Sequence, residues 1–386
     1  MTPADPRRAL LLDLFRTGLA AVDGRRRMRA ALAGKPIVGP VSVFAAGKAA
    51  ASMTLGVIDA LGAAVARGLV VAPDAAIPAE LQARPGLRCL EAGHPRPDER
   101  TLAAGEALLE FASGTAPGGL VLLLVSGGAS ALVEVPAPGV DLAELRAVFE
   151  RSLDERLDIA ELNRERCALS RIKGGQLPGL FAGARLEAFM ISDVPHDDPA
   201  VLASGLLDAP GLRPRLVGSL DDALEAIARA AAAQGLRSLR GTARLAGDAE
   251  AAARRVCHEL AVADADLVVH GGETTVRLPA RPGRGGRCQH FAAAAARAIA
   301  GHSDYVLLAA GTDGRDGDSE DAGAIVDGET VTRAADAGIE IGEALRSADS
   351  GPLLEATGDL LHTGPTGTNV GDVVLALRQP GISAPM

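Results

Sequence analysis

Lys48 follows Gly47 directly behind an apolar run, VSVFAAGKAAASM. The pattern predicts a strand, a glycine turn and a helix that starts near Lys48. A lysine in the first turn opposes the helix dipole unless an anion shares the site. A phosphate on helix-terminal amides, with Lys48 as its counter-charge, resolves the conflict. A solvated lysine is the alternative. Ser126-Gly127-Gly128 ends another very apolar run, GLVLLLVSGGAS, and offers bare amides where phosphate oxygens can approach the backbone. A tight strand–helix turn would read the same way. Arg287 opens a helix in GRGGRCQH, where cation and amides together suit a developing negative charge. Only three of the 39 basic residues are lysine: Lys35, Lys48 and Lys173. Lys48 and Lys173 sit beside glycines, in AAGK and IKGG, where a compact ammonium serves and a guanidinium fork does not. Chance retention is the competing account.

Carboxylates supply the complementary chemistry. SDVPHDDP crowds Asp193, Asp197 and Asp198 into a turn that could hold Mg²⁺ or accept a hydroxyl proton. Asp193 ranks first because it lies at the expected strand end. GTDGRDGDSEDAG carries Asp313 in an acidic, glycine-rich turn without the EF-hand spacing, so it reads as a Mg²⁺ or substrate site. VHGGETTV echoes VSGGASAL, as two α/β units each presenting a glycine loop at a strand end would, and HTGPTGTNVGD offers Thr366 and Asn369 among short polar groups around a small ligand. A Walker sequence and a GxGxxG fingerprint are both missing. Strand-end glycine loops, a lysine, an arginine and several aspartates are the parts that phosphoryl transfer requires.

The elements that must position these residues alternate between strand and helix. Helical periodicity spans 6–22 and 25–33. Strands are expected at 41–46, 68–72, 119–126 and from 186, and Asp98 is a plausible cap for TLAAGEALLEFA. Further helical patterns lie at 141–157 and 160–172. The stretch 210–220, rich in Pro and Gly, reads as a linker. Beyond it come two alanine-rich helices, then strands in DLVVHGG, YVLLAAG and GAIVD. The expected fold class is α/β, with a parallel sheet in the N-terminal part.

Hydrophobic residues make up 48% of the 386-residue chain and aromatics 2%, so the core must be built mainly from Ala, Val, Leu and Ile. A net charge of −10 argues against nucleic acid as a partner. Four scattered cysteines without zinc spacing suit a reducing compartment. No apolar run reaches the roughly 18 residues a membrane span needs, and no secretory leader is evident. A cytoplasmic protein is expected.

The ordered set GKAAASM, EAGHPRPDE, VSGGASAL, LSRIKGGQL, SDVPHDDPAVLASG, GGETTV, GGRCQ, GTDGRDG and TGPTGTN resembles the glycerate 2-kinase family with a C-terminal MOFRL domain. Hydroxypyruvate reductase is also a name used in that group. The resemblance covers about residues 41–377. It implies a Rossmann-like N-terminal domain (1–235), a smaller α/β MOFRL domain (236–386) and an active site in the cleft between them. It implies ATP, Mg²⁺ and transfer to the 2-hydroxyl of D-glycerate. By motif, the catalytic lysine falls on Lys48 and the catalytic arginine on Arg287. Asp193 joins them as a catalytic group and as a metal ligand with Asp313. Ser126, Gly127, Gly128, Lys173, Gly271, Gly272 and Thr366 are assigned to the nucleotide. Cys288, His290 and His196 depart from the family pattern, and Cys288 and His290 bear on substrate choice. Another three- or four-carbon hydroxy acid, or an oxidoreductase acting on hydroxypyruvate or tartrate-like acids, are the alternatives. The expected partner is a small hydroxy acid, and the chain is compatible with a homodimer.

Overall fold

The computed structural model describes residues 5–37, 39–152 and 159–379. The chain packs as two compact units. One comprises Val22–Ser219 with Gly367–Val370, and the other Met1–Ala21, Leu220–Thr366 and Gly371–Met386.

The first unit is built on six parallel strands: β1 (Val41–Ala46), β2 (Val65–Pro73), β3 (Leu87–Ala92), β4 (Leu120–Ser126), β5 (Arg185–Ile191) and β6 (Arg215–Gly218). Their order is β3-β2-β1-β4-β5-β6. Every residue of β4 is buried, as expected of a strand covered by helices on both faces. Paired register runs from Val41 opposite Leu120 to Ala46 opposite Val125, so β1 and β4 end side by side. Strand order reverses between these two strands. That makes their carboxyl ends the topological switch point, where doubly wound sheets bind ligands.

Three sequence expectations are corrected here. The stretch 210–220 is not a plain linker, because Arg215–Gly218 forms the edge strand β6 against β5. Residues 87–92 form β3, a strand missing from those expected above. The helical pattern at 160–172 stops at Ala168, before Ser170 and Lys173. The pattern at 141–157 yields a helix over Leu142–Ser152, and its remainder enters 153–158, outside the described residues.

In the second unit, β7 (Ser238–Arg240), β8 (Leu267–Gly272), β9 (Tyr305–Gly311), β10 (Gly323–Asp327), β11 (Leu360–Leu361) and β12 (Asp372–Arg378) form a sheet ordered β11-β10-β9-β12-β8-β7. Only β7–β8 is parallel. The N-terminal helix Pro6–Ala21 belongs to this unit. Arg8 pairs with Asp327 and Asp359, the latter 1% exposed, and Arg333 shares both carboxylates. Gly18 lets the helix cross Leu220–Ala233 closely, since a Cβ there would stand 2.7 Å from Ile227 Cδ1. A division at 235/236 therefore differs from the compact units, which part at 219/220 and exchange short segments.

Asp98 caps the helix Glu99–Ser113 as the sequence suggests. Its Oδ1 accepts the amides of Arg100 (3.0 Å) and Thr101 (3.3 Å), and its own amide donates to Thr101 Oγ1 (3.0 Å). Asp98→Ala removes this reciprocal cap and is expected to lower stability by about 1 kcal/mol, measurable as a lower urea midpoint at unchanged m-value.

Candidate functional site

In the Rossmann-like unit the predicted residues gather at the carboxyl ends of β1, β4 and β5. Lys48 precedes the helix Ala50–Leu61 instead of occupying its first turn. The macrodipole argument is thus weaker than expected, but Lys48 stays fixed at the switch point. Its amide donates to Gly127 O (2.9 Å), and the next amide, of Ala49, donates to Ser126 Oγ (2.9 Å). Ser126 is fully buried, so its hydroxyl ties the two turns together instead of facing a ligand. Gly47 and Gly128 have φ of +124° and +86°, values that favour glycine. Each also permits close approach. A Cβ on Gly47 would strike Ser126, and one on Gly128 would lie 3.0 Å from the His94 ring and 3.3 Å from Lys48 Cγ.

Asp193 stands two residues beyond β5. Its Oδ2 accepts a hydrogen bond from Asn369 Nδ2 at 2.6 Å. Asn369 is delivered by the segment Gly367–Val370, which is held by the bonds from Ser52 Oγ to Gly367 O and from Thr368 Oγ1 to Val22 O (2.8 Å). Gly127 leaves room for this pair, because a Cβ there would fall on the Asp193 carboxylate. Asp198 and His196 are exposed further along the same turn. Lys173 is 5% exposed and its ammonium meets Glu134 Oε2 at 2.6 Å, so its charge is already balanced.

The second unit holds the remaining candidates. Arg287 opens the helix Arg287–Ala298, as expected. Its guanidinium bonds Asp372 in bidentate fashion (Nε 2.6 Å, Nη2 3.1 Å) and pairs with Glu273 at 2.6 Å. Burial opposes this charge, but Asp372 and Glu273 outweigh it and hold the Arg287 pKa above its ordinary value. Asp313 is near: a Cβ on Gly311 would lie 3.2 Å from Asp313 Oδ1 and 3.6 Å from Asp372 Oδ1. Thr366 closes over the same turn, with its Oγ1 donating to Thr312 O at 2.5 Å and its amide to Asp313 O at 3.3 Å.

Gly271 and Gly272 stand apart from this pattern. Both are buried within β8, where side chains would collide with Leu220 and Leu245, so close packing accounts for them. Cys288 and His290 are also buried. Burial and the neighbouring Asp372 and Asp316 push the Cys288 thiol well above its usual pKa. His290 turns toward Glu250 (3.8 Å), with its pKa lowered by burial against the pull of Glu250 and Asp248. Both departures therefore belong to the packing around this helix.

The sequence reading gave Asp372 and Asp316 no individual role, and it took Asn369 only as one of several short polar groups around a small ligand. Their parts depend on distant partners, Arg287, Cys288 and Asp193 respectively. Among the described residues no group of three or more His, Cys, Asp or Glu side chains forms a ready metal site. Mg²⁺ is usually held by one or two carboxylates plus substrate phosphates and water. The partly exposed carboxylates of Asp193 and Asp313 are of that kind.

Residues 10–230 match the family model described as a domain of unknown function (DUF4147), and residues 266–372 match the MOFRL family model. The chain is 31% identical to a glycerate 2-kinase of Pyrococcus horikoshii, with 88% of each chain covered. It is 35% identical to an Agrobacterium vitis protein provisionally named hydroxypyruvate reductase, over 95% of this chain and 93% of that one. The crystal structure of a glycerate kinase from Thermotoga maritima superposes with a TM-score of 0.84 at 29% identity, covering 97% of this chain and 99% of that chain. The chain belongs to the MOFRL-type glycerate kinase family. The resemblance drawn from the nine motifs thus agrees with the family models and the relatives. Among the described residues of this family member, no helix is long and apolar enough to cross a membrane.

Asp316 gives a pH test of the Arg287 region. Burial raises its pKa to about 7, although it accepts the amides of Cys288 (3.0 Å) and Gln289 (2.7 Å). An unfolded aspartate titrates near pH 4, so between these values the folded state keeps a proton that the unfolded state has released. The stability contributed by Asp316 is complete below the unfolded pKa and is lost as pH rises through about 7. Urea midpoints of the wild type should fall more steeply across that window than those of Asp316→Asn.

Proposed function

We propose that the chain is an ATP-dependent kinase that transfers a phosphoryl group to the 2-hydroxyl of D-glycerate, giving 2-phosphoglycerate. Family membership supports glycerate phosphorylation. The observation that carries the site assignment is the meeting of Lys48, Gly127-Gly128 and Asp193 at the switch point of the parallel sheet. The Gly127-Gly128 turn presents backbone to the phosphates, and Lys48 neutralises charge on the transferring group. Arg287, oriented by Asp372, is the second cation. Asp193, steadied by Asn369, orients the attacking hydroxyl and takes up its proton. Asp193 in one unit and Asp313 in the other are each candidate ligands for Mg²⁺, which would supply charge neutralisation at the phosphates. A cytoplasmic location follows from the same reading. The name carried by the Agrobacterium vitis relative keeps an oxidoreductase acting on hydroxypyruvate as the second reading.

Coupled ADP release with Mg²⁺-ATP should show turnover with D-glycerate, tested beside L-glycerate, hydroxypyruvate, tartronate and four-carbon aldonic acids. Identification of 2-phosphoglycerate as the product fixes the hydroxyl. NAD(P)H oxidation with hydroxypyruvate and no ATP consumption would replace the kinase reading with the second one. Lys48→Ala and Arg287→Ala should each lower kcat by roughly 100-fold or more. Near-native turnover in either variant removes that residue from the scheme.

A further inference from the structure

Beside the Gly127-Gly128 turn, the Rossmann-like unit contains a cavity of about 180 Å³. Leu145, Val148, Phe149 and Pro97 supply apolar wall, and His94, Ser130, Glu134, Arg166 and Lys173 bring polar groups to it. The charges inside are unequal. Glu134 is already engaged: Lys173 Nζ meets its Oε2 at 2.6 Å, while Ser170 Oγ and the Val135 amide donate to its Oε1 at 2.5 and 3.0 Å. These bonds take both positions on Oε1 and one on Oε2, and the charge of Glu134 is balanced by Lys173. Arg166 is half-buried, and among the described residues its guanidinium has no carboxylate within ion-pair distance and no hydrogen-bond acceptor. Burial holds its pKa below the ordinary arginine value, opposed only by Cys167. By contrast, Arg8 and Arg333 pair with Asp327 and Asp359, and Arg287 with Asp372. Withdrawing an uncompensated guanidinium from water is costly, and an entering anion relieves that cost.

We propose that this cavity is the acid-binding subsite of the kinase, in which the Arg166 guanidinium fork holds the carboxylate of the hydroxy acid. The inference rests on the kinase reading above and deepens it. A planar guanidinium matches a carboxylate in two parallel hydrogen bonds. The volume suits a small acid, and Ser130 and His94 are placed at the wall to meet its hydroxyls. Gly128 borders the cavity and also abuts Lys48, so a carboxylate anchored on Arg166 leaves the hydroxyl end directed toward the turn where phosphoryl transfer is assigned. Arg166 lies on the helix Ile159–Ala168, outside every motif quoted from the sequence.

The experiment varies both substrates on the full-length chain. Arg166→Gln should raise the KM for D-glycerate roughly 10- to 100-fold, leave the KM for ATP unchanged, and keep most of kcat at saturating acid. Arg166→Lys should fall between it and the wild type. Because the substitution removes a half-buried charge with no carboxylate partner among the described residues, the ligand-free Tm should hold or rise, whereas a purely structural arginine would lower it. Val148→Phe, which narrows the cavity while leaving Arg166 in place, should also raise the KM for the acid. An unchanged KM for D-glycerate overturns the proposal, and so does a rise confined to ATP, which would make the bound group a phosphate. If the wild type phosphorylates no acid, the kinase reading fails separately. Calorimetry with D-glycerate and tartronate then reads the subsite alone: binding that Arg166→Gln abolishes supports it, and no binding to the wild type ends it.

Discussion

The geometry at the end of β4 depends on one constraint: a fully buried parallel strand must deliver its chain into a turn with almost no room for side chains. Ser126 Oγ and Gly127 O accept the amides of Ala49 and Lys48, which locks the turn after β4 to the turn after β1. That lock demands glycine at 47 and 127, where a Cβ would collide with Ser126 or with Asp193. The consequence is chemical as well as steric. With no side chains in the way, backbone, Lys48 and Asp193 converge where strand order reverses, and helices on both faces keep the platform rigid.

The second unit solves a different problem. It places a guanidinium, a thiol and several carboxylates in and around the start of one helix, where unbalanced charge is expensive. Arg287 and Asp372 satisfy each other in a two-bond geometry. Asp316 receives two helix amides, yet burial still favours its neutral form. The substitutions that distinguish this chain from the family pattern, Cys288 and His290, enter that packing and not an open surface. Cys288 lies beside Asp372 and Asp316, and His290 faces Glu250.

Local chain order is a poor guide to which residues cooperate. The N-terminal helix is bound by Arg8 to carboxylates more than three hundred residues away, and Asn369 returns to steady Asp193. Short excursions of this kind cost little loop-closure entropy relative to the buried hydrogen bonds they complete. They also explain why a linear division at 235/236 does not coincide with the compact units.

The sequence by itself determined the family, the alternation of strands and helices, the cap at Asp98 and the glycine turns that carry Lys48, Gly127 and Arg287. All of these depend on local pattern: apolar runs, turn residues and short motifs whose meaning does not require a distant partner. Strand β6 was hidden because four residues between prolines and glycines carry too little periodicity, and it forms only when β5 offers an edge. Gly271-Gly272 looked like Gly127-Gly128 in sequence, but the first pair packs against leucines inside a strand and the second lines a turn. Lys173 stood out in sequence for its glycine context and Arg166 did not. Tertiary structure alone gave Lys173 its carboxylate and, among the described residues, gave Arg166 none, because charge pairing is fixed by which groups share a low-dielectric pocket and not by their spacing along the chain.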